Sequence, residues 1–263
     1  MGYMVLIITT DYLAFIRWFY TRHPGLDKRP YEEQVRFRRK TKFGLADIYC
    51  NNLRTCGHEA VEVYSNNEFM QKIWAREHNI RSIFLTFGPF FKNYRFWLYT
   101  VLKTQIKNYK PDVLINHSMN SIDVNFLKDI KPYTRLIIGQ HAATQLPENA
   151  DWRCYDLVIS SFLPTVQWFR QKGVRAELYR LAFEPRILKF LQADSDSRFD
   201  ITFVGSFHKV HNSRTAFLEN ICDTFRGVKV WGHGINHLSS GSPIRKCYMG
   251  QAWGLDMYNI LKA

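Results

Sequence analysis

Short apolar runs in this chain repeatedly end in small or polar residues, and several of those ends carry a side chain able to do chemistry. Met4–Thr10 (MVLIITT) closes on Thr9, Thr10 and Asp11; Asp112–Asn116 (DVLIN) closes on Asn116, His117 and Ser118. Arg135–Ile138 closes on Gly139, Gln140 and His141, and Asp156–Ser160 on Ser160 and Ser161. Later, Asp200–Val204 runs into Gly205, Ser206, Phe207 and His208, and Val228–Trp231 into Gly232, His233 and Gly234. Histidine is the side chain best suited to accept a proton near neutral pH. His141 is the preferred candidate of the first four groups, because Gly139 would let the chain turn tightly and push the following side chain forward. Asn116, His117 and Gln140 are its companions.

The group at 204–214 suggests a different chemistry. Val204-Gly205-Ser206-Phe207-His208-Lys209 reads as a strand, a tight turn over Gly205–Lys209 and a basic loop, with Arg214 opening the next helix. Backbone N–H groups at such a junction and the positive end of the helix dipole favour a diphosphate. Lys209 and Arg214 could add charge-assisted bonds to its oxygens. No G-x-G-x-x-G follows a strand and no Gly-x4-Gly-Lys-Ser/Thr occurs, so a nicotinamide dehydrogenase and a P-loop nucleotidase lose support. His208-x2-His211, His233-x3-His237 and Cys247 match no standard zinc spacing, and no metal is expected.

The elements that must position these residues alternate. After the first run, an aromatic, basic stretch with a His23-Pro24-Gly25 turn leads to helical spacing from Tyr31 to about Cys56, interrupted by Gly44 and stopped by Gly57. Glu59–Tyr64 is a strand; Asn66–His78 is a helix capped by Asn66 or Asn67; Arg95–Tyr109 is a helix ended by Lys110-Pro111. Helices around Ile122–Ile130 and from Pro164 to Gly173, and extended structure over Ala176–Leu181, continue the pattern. Apolar strands alternating with helices predict an α/β fold with a parallel sheet covered on both faces. In such sheets ligands sit beyond the carboxyl ends of the strands, where the polar groups above would gather.

A polar stretch, Gln192–Arg198, reads as a linker, after which the pattern restarts: a strand at Asp200–Val204, a helix at Ser213–Phe225, a strand at Val228–Trp231, a loop over Gly232–Pro243 and a helix from Leu255. The expected organisation is an N-terminal Rossmann-like domain at 1–191, a linker at 192–198 and a partial second Rossmann-like domain at 199–263. About 65 residues suffice for two β-α units but fall short of a usual doubly wound domain.

The 263 residues hold 36 Lys plus Arg against 23 Asp plus Glu, a net charge of +13. That excess attracts anions: phosphorylated small molecules, nucleic acid, or an acidic membrane face that would allow peripheral contact. The run Arg36–Lys42 reads as a solvated helix face, and without any nucleic-acid-reading motif no nucleic acid is expected. Tyr94, Phe96, Trp97 and Tyr99 read as core rather than a base-stacking platform. With 46% apolar and 16% aromatic residues the chain can bury a core, which excludes wholesale disorder. Runs such as Met4–Ile8 and Ile83–Leu85 are far short of a bilayer span. The N-terminus has no secretory pattern, and five scattered cysteines without a Cys-x-x-Cys pair suit the reduced thiols of a cytoplasmic protein.

The segments IITTDY, GLADIYCNNLRTCGHEAVEV, KPDVLINH, IIGQHAA, DITFVGS and WGHG followed by GLDMYNILKA, taken as a set, resemble the GT-B glycosyltransferases, and within them the bacterial spore-maturation-type group. The resemblance implies two Rossmann-like domains, an acceptor side and a nucleotide-sugar side, with transfer of a sugar from a UDP- or GDP-type donor to an unknown acceptor. The nucleotide sugar is a substrate; no cofactor or metal is implied. It implies His141 near the sugar or acceptor, where it would deprotonate the acceptor hydroxyl or orient the sugar. Thr10 and Asp11 would approach the donor phosphates, Gly205 and Ser206 would open the donor domain, Arg214 would meet phosphate, and Gly232, His233 and Gly234 would lie near the base. The family's donor domain continues with further strands, a Gly-rich phosphate loop and a ribose-gripping carboxylate that this sequence does not reach by Ala263. A partial donor site is therefore expected, and a non-catalytic binding or scaffold role is the alternative. A basic nucleic-acid-binding protein is the third reading.

Overall fold

The computed structural model describes residues 2–80, 94–142, 146–191, 199–208 and 211–262. The predicted linker at 192–198 and Lys209 lie outside them, as does Ile83–Leu85. The chain divides into two compact units, one of Met1–Arg39 with Gly44–Phe183, the other of Lys40–Phe43 with Glu184–Ala263.

The first unit is built on a six-stranded parallel sheet in the order β2-β1-β3-β4-β5-β6. Its strands are β1 (Met4–Thr9), β2 (Glu59–Tyr64), β3 (Val113–Asn116), β4 (Leu136–Gln140), β5 (Leu157–Ser160) and β6 (Ala176–Leu178). The expected α/β architecture with a parallel sheet is what forms. Leu6, Ile7 and Ile8 of β1 are wholly buried, so both faces of this strand are covered, and each such side chain contributes about 1.5–3 kcal/mol. The helices are α1 (Leu13–Arg22), α2 (Tyr31–Lys40), α3 (Ala46–Thr55), α4 (Glu68–Glu77), α5 (Tyr94–Tyr109), α6 (Val124–Ile130) and α7 (Leu163–Gln171). α3 lays Ala46 and Cys50 on Val5, Ile7 and Ala60, with Tyr49 and Leu53 at the margin. Asn67 caps α4, its side chain accepting from the N–H of Met70 at 3.2 Å. Gly44, at φ 78°, makes the break between α2 and α3.

Three expectations are corrected here. The aromatic, basic stretch after β1 is helix α1, whose Phe15, Ile16 and Phe19 face the core. Gly139 makes no turn: it lies inside β4, paired with Asn116, and it is glycine because a Cβ there would stand 2.6 Å from Met119 Sδ and 3.0 Å from a ring carbon of Tyr155. The basic run is not uniformly solvated. Arg38 is buried, and Arg39 pairs with the buried Glu62.

In the second unit β7 (Ile201–Ser206) and β8 (Val228–His233) pair in parallel, joined by α8 (Asn212–Thr224) and followed by α9 (Ile244–Cys247) and α10 (Leu255–Lys262). The core gathers Phe207, Leu218, Val228, Val230, Leu238 and Ile244. Both strands outrun their expected ends. Gly205 and Ser206 are strand residues paired with Gly232 and His233, so the tight turn expected over Gly205–Lys209 begins no earlier than Phe207. A Cβ on Gly232 would stand 1.7 Å from the carbonyl oxygen of Gly205, which is why the close-packed strand end is glycine. Trp253 rests edge-on against Phe43, and Leu255 donates its N–H to Thr41 at 2.9 Å, which ties the Lys40–Phe43 segment into this unit.

Candidate functional site

The strand order of the first unit reverses direction between β1 and β3, and a crevice beyond the carboxyl ends of that pair is where ligands of open parallel sheets bind. Thr10 and Ser118 stand on either side of it, the Ser118 hydroxyl donating to Thr10 Oγ1 at 3.1 Å. Asn116 is wholly buried and committed at both ends of its amide: Oδ1 accepts from the N–H of Ser118 at 2.8 Å, and Nδ2 donates to the Tyr155 hydroxyl at 2.7 Å. It shapes the loop.

Asp11 is also held. Arg38 grips its carboxylate with two bonds, Nε at 2.9 Å and Nη2 at 2.5 Å, while lying over the rings of Phe15 (4.4 Å) and Tyr64 (4.8 Å). Asn66 clasps the Asp11 backbone from both sides, accepting from its N–H at 2.9 Å and donating to its carbonyl at 2.7 Å. An acid so engaged anchors the loop that carries Thr10.

His117 and Gln140 each keep a buried polar atom without a partner, as Tyr31, Glu62, Tyr64, Asn67, Gln71 and Gln105 also do in this unit. His117 donates its backbone N–H to Ile8 at 2.9 Å, but its Nε2 has no partner and burial pushes its imidazole down to about 4, so it is neutral at physiological pH. The ring meets Tyr49 edge-on at 5.2 Å. Gln140 donates through Nε2 to the Tyr179 hydroxyl, leaving Oε1 unpartnered, and Tyr179 is in turn hydrogen-bonded to Tyr49. A buried polar atom without a partner costs about 1–3 kcal/mol, and native chains retain few of them. Sequence reasoning misses Tyr49 and Tyr179, since Tyr49 reads only as an apolar position of a helix and Tyr179 falls just past β6. His141 is buried at the end of the β4–β5 ladder, its N–H donating to Ile159 at 3.1 Å. The first unit thus brings Thr10, His117, Gln140 and His141 to one rim, with Asn116 and Asp11 beneath it as supports.

In the second unit Gly205, Ser206, Gly232, His233 and Gly234 share the carboxyl ends of β7 and β8. Arg214, in the first turn of α8, reaches back to the same end and donates to the Ser206 carbonyl at 2.6 Å, its guanidinium lying 5.6 Å from the Phe203 ring centre. Among the described residues no three His, Cys, Asp or Glu side chains lie so as to hold a metal ion, and no helix is long and apolar enough to cross a membrane.

Compared with known proteins, the chain matches no protein-family model and no curated protein. Among solved structures it is similar to a glycosyltransferase from Rickettsia africae ESF-5, with 9% identity and a TM-score of 0.46 over 98% of this chain and 71% of that one. A likeness this faint adds nothing to what the strand order itself shows.

Proposed function

We propose that this protein is a GT-B-type glycosyltransferase that moves a sugar from a UDP- or GDP-linked donor to an acceptor hydroxyl, without a metal ion. One observation carries the reading: each of two parallel α/β units ends in a polar rim, and the two rims differ in character. That of the first unit is rich in hydrogen-bonding groups (Thr10, the neutral His117, Gln140, His141), which suits a hydroxyl-bearing acceptor. That of the second combines close-packed glycine strand ends, His233 and Arg214, which suits a diphosphate. Departure of a nucleoside diphosphate is favoured by cationic groups where its negative charge develops. His141 takes the acceptor proton or orients the sugar; the spore-maturation-type subgroup and peripheral attachment to a membrane belong to the same proposal.

The test is calorimetry with UDP and GDP beside an assay of nucleoside diphosphate release. Saturable binding with turnover is expected, and His141→Ala should cut turnover about 10²–10⁴-fold while leaving the fold intact. Unchanged turnover in that variant removes His141 from the mechanism. A second reading, a non-catalytic binding or scaffold protein, is favoured by the second sheet having only two strands among the described residues. No heat with any nucleoside diphosphate would decide for it.

A further inference from the structure

Three histidines meet at the rim of the second unit, and only His233 belongs to the site proposed above. The N–H of Phe207 donates to the His233 carbonyl at 2.9 Å, so the ladder carries one step past β7 and sets His208 just beyond the strand ends. Gly234, at φ 87°, reverses the chain directly after His233, and a single 3-10 turn, Ile235–His237, closes with the His237 N–H donating to the Gly234 carbonyl at 2.8 Å. A Cβ on Gly234 would stand 2.4 Å from the Phe207 carbonyl oxygen, so glycine is what lets this turn close. The turn brings the His237 ring to face that of His208, 5.6 Å apart at 71°.

The His233 ring stacks on Trp253 at 4.9 Å. Burial, then the neighbouring His208 and His237, hold its pKa below the ordinary histidine value. His208 and His237 are exposed and His233 half-buried, so a solute reaches all three.

The surrounding charges are disposed for an anion. From α8, Arg214 bonds the Ser206 carbonyl, and His211 at the helix start donates its N–H to the His208 carbonyl at 2.8 Å. From α9, Arg245 bonds the carbonyls of Ile235, Leu238 and Ser239 around the turn. The acids on the adjoining elements are Glu219 of α8, which accepts from the Ser242 hydroxyl at 2.6 Å, Asp223 near the end of the same helix, and Asp256 in the first turn of α10. The trio does not converge as metal ligands do. The neighbouring His208 and His237 oppose protonation of His233, and an anion among them removes that opposition. Because the rings are spread, the anion that engages them all carries its charge on more than one centre.

We propose that His208, His233 and His237 form a proton-coupled cradle for the diphosphate of a nucleotide ligand, so that binding takes up protons and tightens as pH falls from 8 to 6. This rests on the reading of the second unit as the nucleotide side. The experiment is calorimetry of the whole protein with pyrophosphate, UDP and GDP across that range, in buffers of different ionisation heat. The His208→Gln/His237→Gln double variant supplies the slope that remains from the ligand's own ionisation and from His233. Both replaced side chains are exposed, and hydrogen exchange of the β7 and β8 peptides checks that the double variant keeps its fold.

The expected result is a wild-type affinity that rises more steeply with acidification than that of the double variant, by up to about tenfold per pH unit for each proton taken up. Buffer-dependent heats should report the same uptake. A slope equal in the two proteins overturns the proposal while leaving the nucleotide reading standing. No binding of pyrophosphate, UDP or GDP at any pH overturns both.

Discussion

The neutral, buried imidazole of His117 makes a prediction whose size follows from the structure. In the unfolded chain a histidine takes up its proton near 6.5; in the folded protein burial delays that to about 4. Between those two values the unfolded state binds more protons, so stability falls as the medium is acidified. The contribution is whole above pH 6.5, declines as the pH drops and levels off below 4. Its ceiling is about 3.4 kcal/mol, from 1.36 kcal/mol per unit of displacement, and at pH 4.5 about 2.5 kcal/mol of it has gone. Carboxylates also lose stabilising bonds in acid, so the measurement is a comparison with His117→Gln, which keeps a polar side chain and cannot titrate. Hydrogen exchange of a β3 peptide, corrected for the intrinsic pH dependence of the chemistry, reads the local opening equilibrium. From pH 7 to 4.5 the wild type should lose about 2.5 kcal/mol more than His117→Gln, roughly a 60-fold larger rise in its opening constant. Parallel pH dependences in the two proteins would refute the reasoning, since His117 would then charge in place without penalty.

Two further outcomes follow from packing. Asp11→Asn removes the carboxylate that Arg38 grips between Phe15 and Tyr64, with Asp47 the acid remaining nearby, and should cost up to about 3–5 kcal/mol in urea unfolding of the first unit; a loss under 1 kcal/mol would show that the pair does not anchor the loop. Gly254→Ala places a methyl 1.9 Å from the Thr41 carbonyl oxygen at a residue with φ 55°, and should destabilise the second unit by about 1–3 kcal/mol, seen as faster exchange in peptides covering α10; unchanged exchange there would refute the close approach.

The arrangement of rim residues was legible in the sequence because the geometry of a parallel sheet is simple. Once β-branched runs alternate with helices, every strand must point the same way, and the residues after each run must share one edge. That inference needed no tertiary contact, and Thr10, His117, Gln140 and His141 lie where it puts them. Helix α1 was not read from the sequence, because the aromatic and basic residues between Phe15, Ile16 and Phe19 masked the period.

What the sequence could not convey is the state of each rim residue, because that state is set by partners far along the chain. Asp11 reads as a phosphate-facing acid until Arg38 arrives from α2, and Gln140 reads only as a companion of His141 until Tyr179 is seen to take one end of its amide. The same holds for glycine. At Gly139 the local grammar suggests a turn, yet the constraint comes from Met119 and Tyr155 pressing on an extended backbone. Position along a strand is a local property, whereas protonation, pairing and close approach belong to the assembled core. Unsatisfied atoms do not mark the rim by themselves, since Tyr31, Glu62, Tyr64, Asn67, Gln71 and Gln105 carry them as well as His117 and Gln140; what assembly decides at the rim is that Asn116 is paired at both ends of its amide while His117 Nε2 and Gln140 Oε1 stay open.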